Sequence, residues 1–319
     1  MSELIIAYHD GTPDNARKQL WQARLDPFLN SEFPSFQLVD LTSEAAAEAQ
    51  AALVWSPPYG ALATLPLNRV IISLGQGVDH LLSDESLPPR TPIVRLVDPN
   101  MSHALSHWVI LNILDHYRDG PFYRQMRAAR QFTQKEQQET DGLRVAVYGM
   151  GAIGSVIAER LASLGFSVSG WARTPRNHDD EIPIFSGDDG FNHLLATHAC
   201  HVCILPLTPQ TENLFNKSSF ETMQKGAYFV NGGRGRQVNE ADLLDAVHNG
   251  QLSGAALDVF VTEPLPVDHP FWAEDKITIW PHVAAQTNPN TAAQQVSDAI
   301  LKSLKGEPPL NQVNRQAGY

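Results

Sequence analysis

Three side chains that could act together on a carbonyl compound follow short apolar runs in the second half of the sequence. They are Arg234 in VNGGRGRQV, Glu263 in ALDVFVTEPLP and His282 in IWPHVAAQT. An arginine can bind a carboxylate and polarise the neighbouring carbonyl through its planar set of donors. A histidine can donate a proton to the carbonyl oxygen, and a carboxylate on its far nitrogen fixes its tautomer and raises its pKa. The set predicts reduction of a keto acid, in which Arg234 and His282 also contact the substrate.

A glycine-rich turn precedes this set. In LRVAVYGMGAIGSVIAERLASLG, three glycines follow an apolar run and open a helical pattern. The first permits a tight turn, the second lets the backbone approach a pyrophosphate, and the third allows close packing of helix on strand. The helix N-terminus then faces the phosphates. We therefore predict a dinucleotide site at Gly149, Met150, Gly151, Ala152, Ile153 and Gly154.

The segment VSGWARTPRN after the next apolar run indicates which dinucleotide binds. An acidic residue usually stands here and binds the ribose 2′-hydroxyl, but this sequence has Arg173, Thr174 and Arg176. Arginine binds a 2′-phosphate, which a carboxylate would repel. The alternative is a solvated basic loop. The segment predicts NADP(H) as the preferred cofactor, with NAD(H) as the alternative.

The elements that must position these residues form two series of βα units. Short apolar runs alternate with helix-length stretches in the first hundred residues, and a second such series begins at LRVAVYG. A predicted helix from Ser102 to Tyr117 separates them, with Ser102 as its N-cap. We predict an α/β fold of two doubly wound parallel-sheet domains, flavodoxin-like and Rossmann, with an interdomain cleft. Residues 1–101 plus 288–319 would bind the substrate, and residues 102–287 would bind NAD(P).

The composition excludes several classes of function. The chain has 319 residues with 23 Lys and Arg against 35 Asp and Glu, a net charge of −12. Such a surface repels nucleic acid. No apolar run is long enough to span a bilayer, and the N-terminus is a poor signal peptide, so we expect a cytoplasmic protein without a membrane partner.

Two pairs of residues could indicate a metal or redox site. Cys200 and Cys203 form a CxxC, but side chains three apart on a strand point to opposite faces, so we predict two buried core cysteines. His103 and His107 have helical i,i+4 spacing, yet the glutamate of HExxH is absent and no third ligand is evident. We predict that the protein binds no metal.

Nearly the whole chain resembles the D-isomer-specific 2-hydroxyacid dehydrogenase family in the order of these motifs. The segments LVWSPP and LGQGVD, the terminal GY and Arg173 make it most similar to the reductases of glyoxylate and hydroxypyruvate. The resemblance implies that Arg234, Glu263 and His282 are catalytic. It also implies that Asp258 binds the nicotinamide carboxamide. Further implied contacts are Leu205, Pro206, Asn231, Gly232 and Gly233 for the cofactor, and Trp55, Gly75, Gln76 and Gly77 for the substrate.

Two departures from the family pattern bear on this expectation. Gly233 stands where the family more often has Ala or Ser, and MSHALSHW lacks the acidic or amide residue expected near His107. We predict an NADPH-preferring reductase of small 2-keto acids, acting as a homodimer. The alternatives are an NAD-linked D-2-hydroxyacid or 3-phosphoglycerate dehydrogenase, or a non-catalytic NAD(P)-sensing binding protein.

Overall fold

The computed structural model describes residues 3–12, 15–66, 69–175 and 182–318. In chain order these residues form β1 (Ile5–His9), α1 (Asn15–Leu29), β2 (Gln37–Asp40), β3 (Ala51–Val54), β4 (Val70–Ser73), α2 (Asp79–Leu82), β5 (Ile93–Val94), α3 (Pro99–Tyr117), α4 (Gly120–Ala128), β6 (Arg144–Tyr148), α5 (Ala152–Ser163), β7 (Ser167–Ala172), β8 (Ile184–Ser186), α6 (Gly187–Thr197), β9 (Cys200–Cys203), α7 (Lys217–Thr222), β10 (Ala227–Asn231), α8 (Glu240–His248), β11 (Leu252–Leu257), β12 (Ile277–Ile279) and α9 (Pro289–Leu304). Short 3-10 helices span Glu44–Glu48, Gly235–Gln237 and Pro270–Ala273.

The chain divides into two units, each built on one parallel sheet. The first unit takes the residues up to Asn100 and those from Gln286 onward, and the second takes Met101–Ala285. The strand order is β2-β1-β3-β4-β5 in the first unit and β12-β11-β10-β9-β6-β7-β8 in the second. Every strand pair in both sheets is parallel. These orders are the flavodoxin-like and Rossmann arrangements, which confirms the predicted fold class.

Both faces of each sheet are buried, as parallel strands require. Within β3, Ala51 and Leu53 join one core cluster, whereas Ala52 and Val54 join another on the opposite face. The second unit repeats this alternation along its strands. The period-2 geometry of a strand thus turns a continuous apolar run into two cores.

Helix α3 begins earlier than the sequence predicts. It starts at Pro99, so Ser102 is buried inside the first helical turns and is not the N-cap. The physical reason is that proline is well tolerated at the first helical position, where its missing N–H has no helical partner. The Asp98 side chain accepts from the amide of Asn100 and satisfies one of the first N–H groups.

Two other helices have ends with residues that are typical of helix caps. Helix α9 begins after Asn288, whose side chain accepts from the amide of Asn290. Helix α8 ends two residues before Gly250, which has a φ of 75°. Among the described residues, no helix is both long and apolar enough to cross a membrane.

Candidate active site

The glycine turn between β6 and α5 has the shape of a phosphate cradle. Gly149 has a φ of 108°, and a Cβ there would lie 2.6 Å from the carbonyl oxygen of Ile204. A Cβ on Gly154 would lie 1.9 Å from the carbonyl oxygen of Gly149. At Gly151, by contrast, no atom lies within 4 Å of the Cβ position. The chain therefore packs tightly at the outer glycines and leaves open space at the central one, directly before α5.

The strand order places this turn where a ligand can approach. β6 lies between β7 and β9, so the connections that leave β6 and β9 run to opposite sides of the sheet. Open α/β sheets bind ligands at this switch point. Arg173 and Thr174 follow β7 and are exposed, whereas Arg176 lies outside the described residues. The cradle, the helix N-terminus and Arg173 fit a dinucleotide that carries an extra phosphate on its ribose.

The carboxyl ends of β9 and β10 carry the next predicted cofactor residues. Leu205 is buried and Pro206 is exposed just after β9. Asn231 closes β10, where its side-chain oxygen accepts from the amide of Gly233 at 3.0 Å and its nitrogen donates to the carbonyl of Arg234 at 3.0 Å. A Cβ on Gly232 would crowd the side chains of Leu105, Ile204 and Trp108.

Glu263 and His282 form a direct pair. The Nδ1 atom of His282 lies 2.7 Å from Oε2 of Glu263, and Oε1 of that carboxylate accepts from the amide of Phe260 at 2.9 Å. An ionised carboxylate only accepts, so Nδ1 carries the proton in this pair. About a third of each side chain is exposed, at 32% and 35%. The ring's second nitrogen, Nε2, is then the atom that can exchange a proton with a substrate.

Asp258 shapes the loop that presents His282. Its carboxylate accepts from the amides of Val283 at 2.8 Å and Ala284 at 3.0 Å, and its carbonyl accepts from the amide of His282 at 2.9 Å. His282 has a φ of 54°, a left-handed conformation that disfavours a residue with a Cβ. Because three backbone bonds converge on Asp258, the strained conformation of His282 is fixed by its surroundings.

Burial, hydrogen bonds and nearby charges shift the pKa values of Glu263 and Asp258 in opposite directions. Burial alone would raise the pKa of Glu263, but the hydrogen bond and charge of His282, the amide of Phe260 and the charge of Arg234 lower it below its ordinary value. Burial raises the pKa of Asp258, and the negative charge of Glu263 raises it further against the opposing amides of Val283 and Ala284. Glu263 is therefore the carboxylate that stays ionised beside the imidazole.

A close backbone approach joins the arginine loop to the Glu263 loop. A Cβ on Gly235 would lie 1.9 Å from the carbonyl carbon of Phe260 and 2.4 Å from the amide nitrogen of Val261. Only glycine permits this contact. It fixes the residue after Arg234 against the segment whose amide binds Glu263, so all three predicted catalytic residues lie in contiguous loops of the second unit.

The predicted substrate residues lie in the first unit. Trp55 follows β3, and its ring would lie only 2.5 Å from a Cβ on Gly75, which follows β4. The Ser73 hydroxyl accepts from the amide of Gly75 at 3.3 Å and donates to the carbonyl of Gly77 at 2.9 Å. Gln76 is half-buried between these glycines. The segment is a tight turn held by one serine under an aromatic ring.

The cysteine pair and the histidine pair have ordinary surroundings. Cys200 and Cys203 are free and buried on opposite faces of β9, which confirms the prediction of core cysteines. Burial raises the pKa of the Cys200 thiol, which keeps it protonated. His107 lies 2.8 Å from the guanidinium of Arg160. In the part of the chain that the structure describes, no cluster of His, Cys, Asp and Glu could hold a metal ion.

Two hydrogen-bonding residues near the site were missed by the sequence analysis. Gln237 accepts from the amide of Arg234, and Asn112 of α3 accepts from the indole N–H of Trp280, two residues before His282. Gln237 lies within VNGGRGRQV, but no pattern predicts its role or that of Asn112, because the bonds of Gln237 to Leu205 and of Asn112 to Trp280 join segments that are distant in the sequence. The Gly233 departure was the one visible signal, and it points to Gln237.

Known proteins resemble this chain in sequence. The sequence model described as the D-isomer specific 2-hydroxyacid dehydrogenase, NAD binding domain, matches residues 110–284. Glyoxylate/hydroxypyruvate reductase A of Yersinia enterocolitica is 34% identical over 296 residues, 91% of this chain and 94% of the relative. The protein of the same name from Photorhabdus laumondii is 36% identical over 273 residues, 84% of this chain and 87% of the relative.

Solved structures resemble the fold over its full length. A D-isomer-specific 2-hydroxyacid dehydrogenase from Xanthobacter autotrophicus Py2, in complex with NADPH and MES, has a TM-score of 0.90 at 34% identity and covers 100% of both chains. An NADPH-dependent glyoxylate/hydroxypyruvate reductase from Sinorhizobium meliloti, in complex with NADP and sulfate, has a TM-score of 0.88 at 30% identity, covering 99% of this chain and 100% of the other.

Proposed function

Since this chain belongs to the D-isomer-specific 2-hydroxyacid dehydrogenase family, we propose that it is an NADPH-preferring reductase of small 2-keto acids, glyoxylate and hydroxypyruvate first. The observation that carries the proposal is the Glu263–His282 hydrogen bond of 2.7 Å, in a loop adjoining that of Arg234. The names of the relatives from Yersinia and Photorhabdus support the choice of keto acids.

His282 acts as the proton donor in this proposal. The Glu263 carboxylate holds Nδ1–H and stabilises the imidazolium, so Nε2–H is directed at the substrate carbonyl oxygen. After proton transfer the ring is neutral, and Glu263 keeps the tautomer that can be reprotonated at Nε2. The lowered pKa of Glu263 keeps its charge in place through this cycle.

Arg234 binds the substrate carboxylate and polarises the carbonyl next to it. Its guanidinium donates to the carbonyl of Gly233 at 2.9 Å, which limits how the side chain turns. A planar guanidinium recognises a carboxylate through two parallel bonds and so orients the carbonyl plane. We assign Gly75, Gln76, Gly77 and Trp55 of the first unit to substrate binding, and residues 1–101 plus 288–319 to the substrate-binding domain, with 102–287 binding NAD(P).

The cofactor proposal rests on the glycine cradle and Arg173. When bound, NADPH supplies a hydride. Main-chain amides at Gly151 and the start of α5 hold its pyrophosphate, and Arg173 with Thr174 binds the 2′-phosphate, with NAD(H) as the weaker cofactor. The structures from Xanthobacter and Sinorhizobium, which contain NADPH and NADP, support this assignment. Arg176, outside the described residues, would add a second charge. Leu205, Pro206, Asn231, Gly232, Gly233 and Asp258 complete the proposed cofactor contacts.

We also propose that the protein forms a homodimer and takes no nucleic-acid partner. Leu111 of α3 is 54% exposed, Phe132 is 101% exposed, and no residue of α4 is buried. Such apolar exposure over neighbouring elements favours a protein interface. The net charge of −12 opposes binding to a phosphate backbone. Light scattering of the purified protein tests the dimer, and a monomeric mass contradicts it.

A rate panel tests the activity. Glyoxylate, hydroxypyruvate, phenylpyruvate and, in the reverse direction, 3-phosphoglycerate are each assayed with both cofactors. We expect the highest kcat/KM for glyoxylate or hydroxypyruvate with NADPH. A higher value for phenylpyruvate or 3-phosphoglycerate with the NAD cofactors supports the NAD-linked alternative. Tight NADPH binding without any turnover supports a sensor and contradicts the proposed activity.

A further inference from the structure

The Gln237 side chain is fully buried beside the arginine loop and makes three hydrogen bonds there. Its Oε1 accepts from the amide of Arg234 at 2.9 Å and from the thiol of Cys203 at 3.2 Å. Its Nε2 donates to the carbonyl of Leu205 at 2.8 Å. The residue is 0% exposed, so these partners stand in for water that cannot reach the amide.

The chemistry of the partners fixes which way the amide points. A backbone N–H can only donate and a backbone carbonyl can only accept, so Oε1 must face Arg234 and Nε2 must face Leu205. A flipped amide would place donor against donor and acceptor against acceptor in a buried site. Gln237 therefore connects the ends of two neighbouring strands, β9 and β10, in one orientation.

Both polar groups of the Arg234 backbone are held by side-chain amides. Gln237 accepts from the N–H at 2.9 Å, and Asn231 donates to the C=O at 3.0 Å. The backbone amide of Gln237 also donates to that carbonyl at 3.3 Å. Because the Cα of Arg234 lies between two anchored peptide groups, the origin of its side chain is fixed.

Gly233 depends on the same amide. A Cβ at this position would lie 2.4 Å from Oε1 of Gln237, closer than real Cβ contacts allow, and 3.1 Å from the carbonyl oxygen of Leu205. A flexible glutamine could turn away, but this one is buried and bound at both ends. The two residues therefore form a matched pair, in which glycine at 233 makes room for the buried amide at 237.

We infer that Gln237 is a positioning residue for Arg234, and that Gly233 is glycine because Gln237 occupies the space of its Cβ. The inference rests on the proposed role of Arg234 in binding the keto-acid carboxylate. Loss of the amide frees the Arg234 backbone, so the guanidinium no longer meets the substrate in one geometry. Substrate use then falls more than cofactor binding.

The first test needs no substrate. Melting temperatures are measured for wild type, Gly233→Ala, Gln237→Ala and the double variant. We expect Gly233→Ala to lower the melting temperature in wild type, and to lower it by less than half as much in the Gln237→Ala background, where Oε1 is gone. Equal shifts in the two backgrounds overturn the pairing of the two residues.

The second test is kinetic. We expect Gln237→Ala to raise the KM for glyoxylate at least about tenfold, with the KM for NADPH within about threefold, since misplacement by about 1 Å can cost a hundredfold. Gly233→Ala should raise the KM for glyoxylate by a similar factor. The double variant should be little worse than either single one. Leu243→Ala, which truncates a buried side chain in the core cluster that contains Cys203 and Leu205, the partners of Gln237, is the control and should leave both KM values unchanged.

Other outcomes overturn the inference. An unchanged KM for glyoxylate in a folded Gln237→Ala protein contradicts positioning. So does an equal rise in the KM for NADPH in that variant, or an equal rise in the KM for glyoxylate in the Leu243→Ala control. If the alanine variant fails to fold, Gln237→Met keeps the volume without an amide, and the same criteria apply. If wild type reduces no keto acid, the proposed function fails instead, while the melting experiment still decides the pairing.

Discussion

Replacement of Gly235 by alanine should separate the catalytic loops. A Cβ there would lie 1.9 Å from the carbonyl carbon of Phe260, and real Cβ contacts essentially never fall below 3.0 Å. The atoms in the way belong to the backbone, so no side chain can turn aside. The segment after Arg234 must move about 1 Å from the segment that binds Glu263, and a shift of that size costs about a hundredfold in rate.

The assay measures kcat/KM for glyoxylate with NADPH, NADPH binding by fluorescence, and the melting temperature. We expect kcat/KM to fall about a hundredfold, which corresponds to about 2.7 kcal/mol in transition-state stabilisation. NADPH binding should change less than kcat/KM, because the cradle at Gly149 to Gly154, which holds the pyrophosphate, belongs to another loop. Gly226→Ala is the matched control: Gly226 has a φ of 81° and open space around its Cβ position, at the amino end of β10.

The control separates loss of stability from loss of geometry. Alanine at Gly226 adopts a strained backbone conformation and costs about 1 kcal/mol of stability, but it lies at the strand end remote from Arg234. The Gly226→Ala protein should have a lower melting temperature than wild type and retain the wild-type kcat/KM. A folded Gly235→Ala protein within fivefold of wild-type kcat/KM would refute the reasoning that this contact sets the catalytic geometry.

Substitutions at His282, Arg173 and His116 test acid catalysis, cofactor choice and pH-dependent stability. His282→Gln should lower kcat by about 10² to 10⁴ and leave the Kd for NADPH unchanged, and retained turnover removes His282 as the acid. Arg173→Asp should reduce the ratio of kcat/KM with NADPH to that with NADH at least about tenfold, and an unchanged ratio contradicts the 2′-phosphate assignment. Burial lowers the pKa of His116 from 6.5 to about 4 in the folded protein. As the pH falls, the unfolded chain takes up this proton before the folded protein does. The contribution of His116 to stability is therefore full above pH 6.5 and is lost as the pH falls toward 4. His116 should account for about 2 kcal/mol of the stability lost between pH 7.5 and 5. In denaturant titrations His116→Phe, which can keep the 3.9 Å stack on Tyr228, should lose about that much less than wild type, and an unchanged pH dependence contradicts the assignment.

The sequence revealed those features of the site whose physical cause is local. Gly149 and Gly154 are needed where the chain meets its own backbone, and a strand followed by such glycines and a helix is visible in the sequence. The two parallel sheets follow equally from apolar runs separated by helix-length stretches. The role of Arg173 stays a prediction, which rests on the attraction between its positive charge and the 2′-phosphate of NADP(H).

What the sequence could not reveal depends on contacts between distant segments. Gln237 binds Leu205 across 32 positions, and Asn112 binds Trp280 across 168. No pattern within a window of the chain reports such a bond. The start of α3 was also missed, because Ser102 resembles an N-cap, and Pro99 with Asp98 can begin the helix earlier.

The division of the first unit between two separate parts of the chain has a consequence for the order of folding. Trp21 and Leu25 of α1 pack in one core cluster with Val296 and Ile300 of α9, and Arg24 bonds Asn290, 266 positions later. At 5–20 residues per second, ribosomal synthesis of that interval takes on the order of tens of seconds. The second unit, one uninterrupted stretch, can complete its core during this time. The part of α1 that packs against α9 remains uncovered until α9 emerges, so the nascent chain exposes apolar surface during that interval.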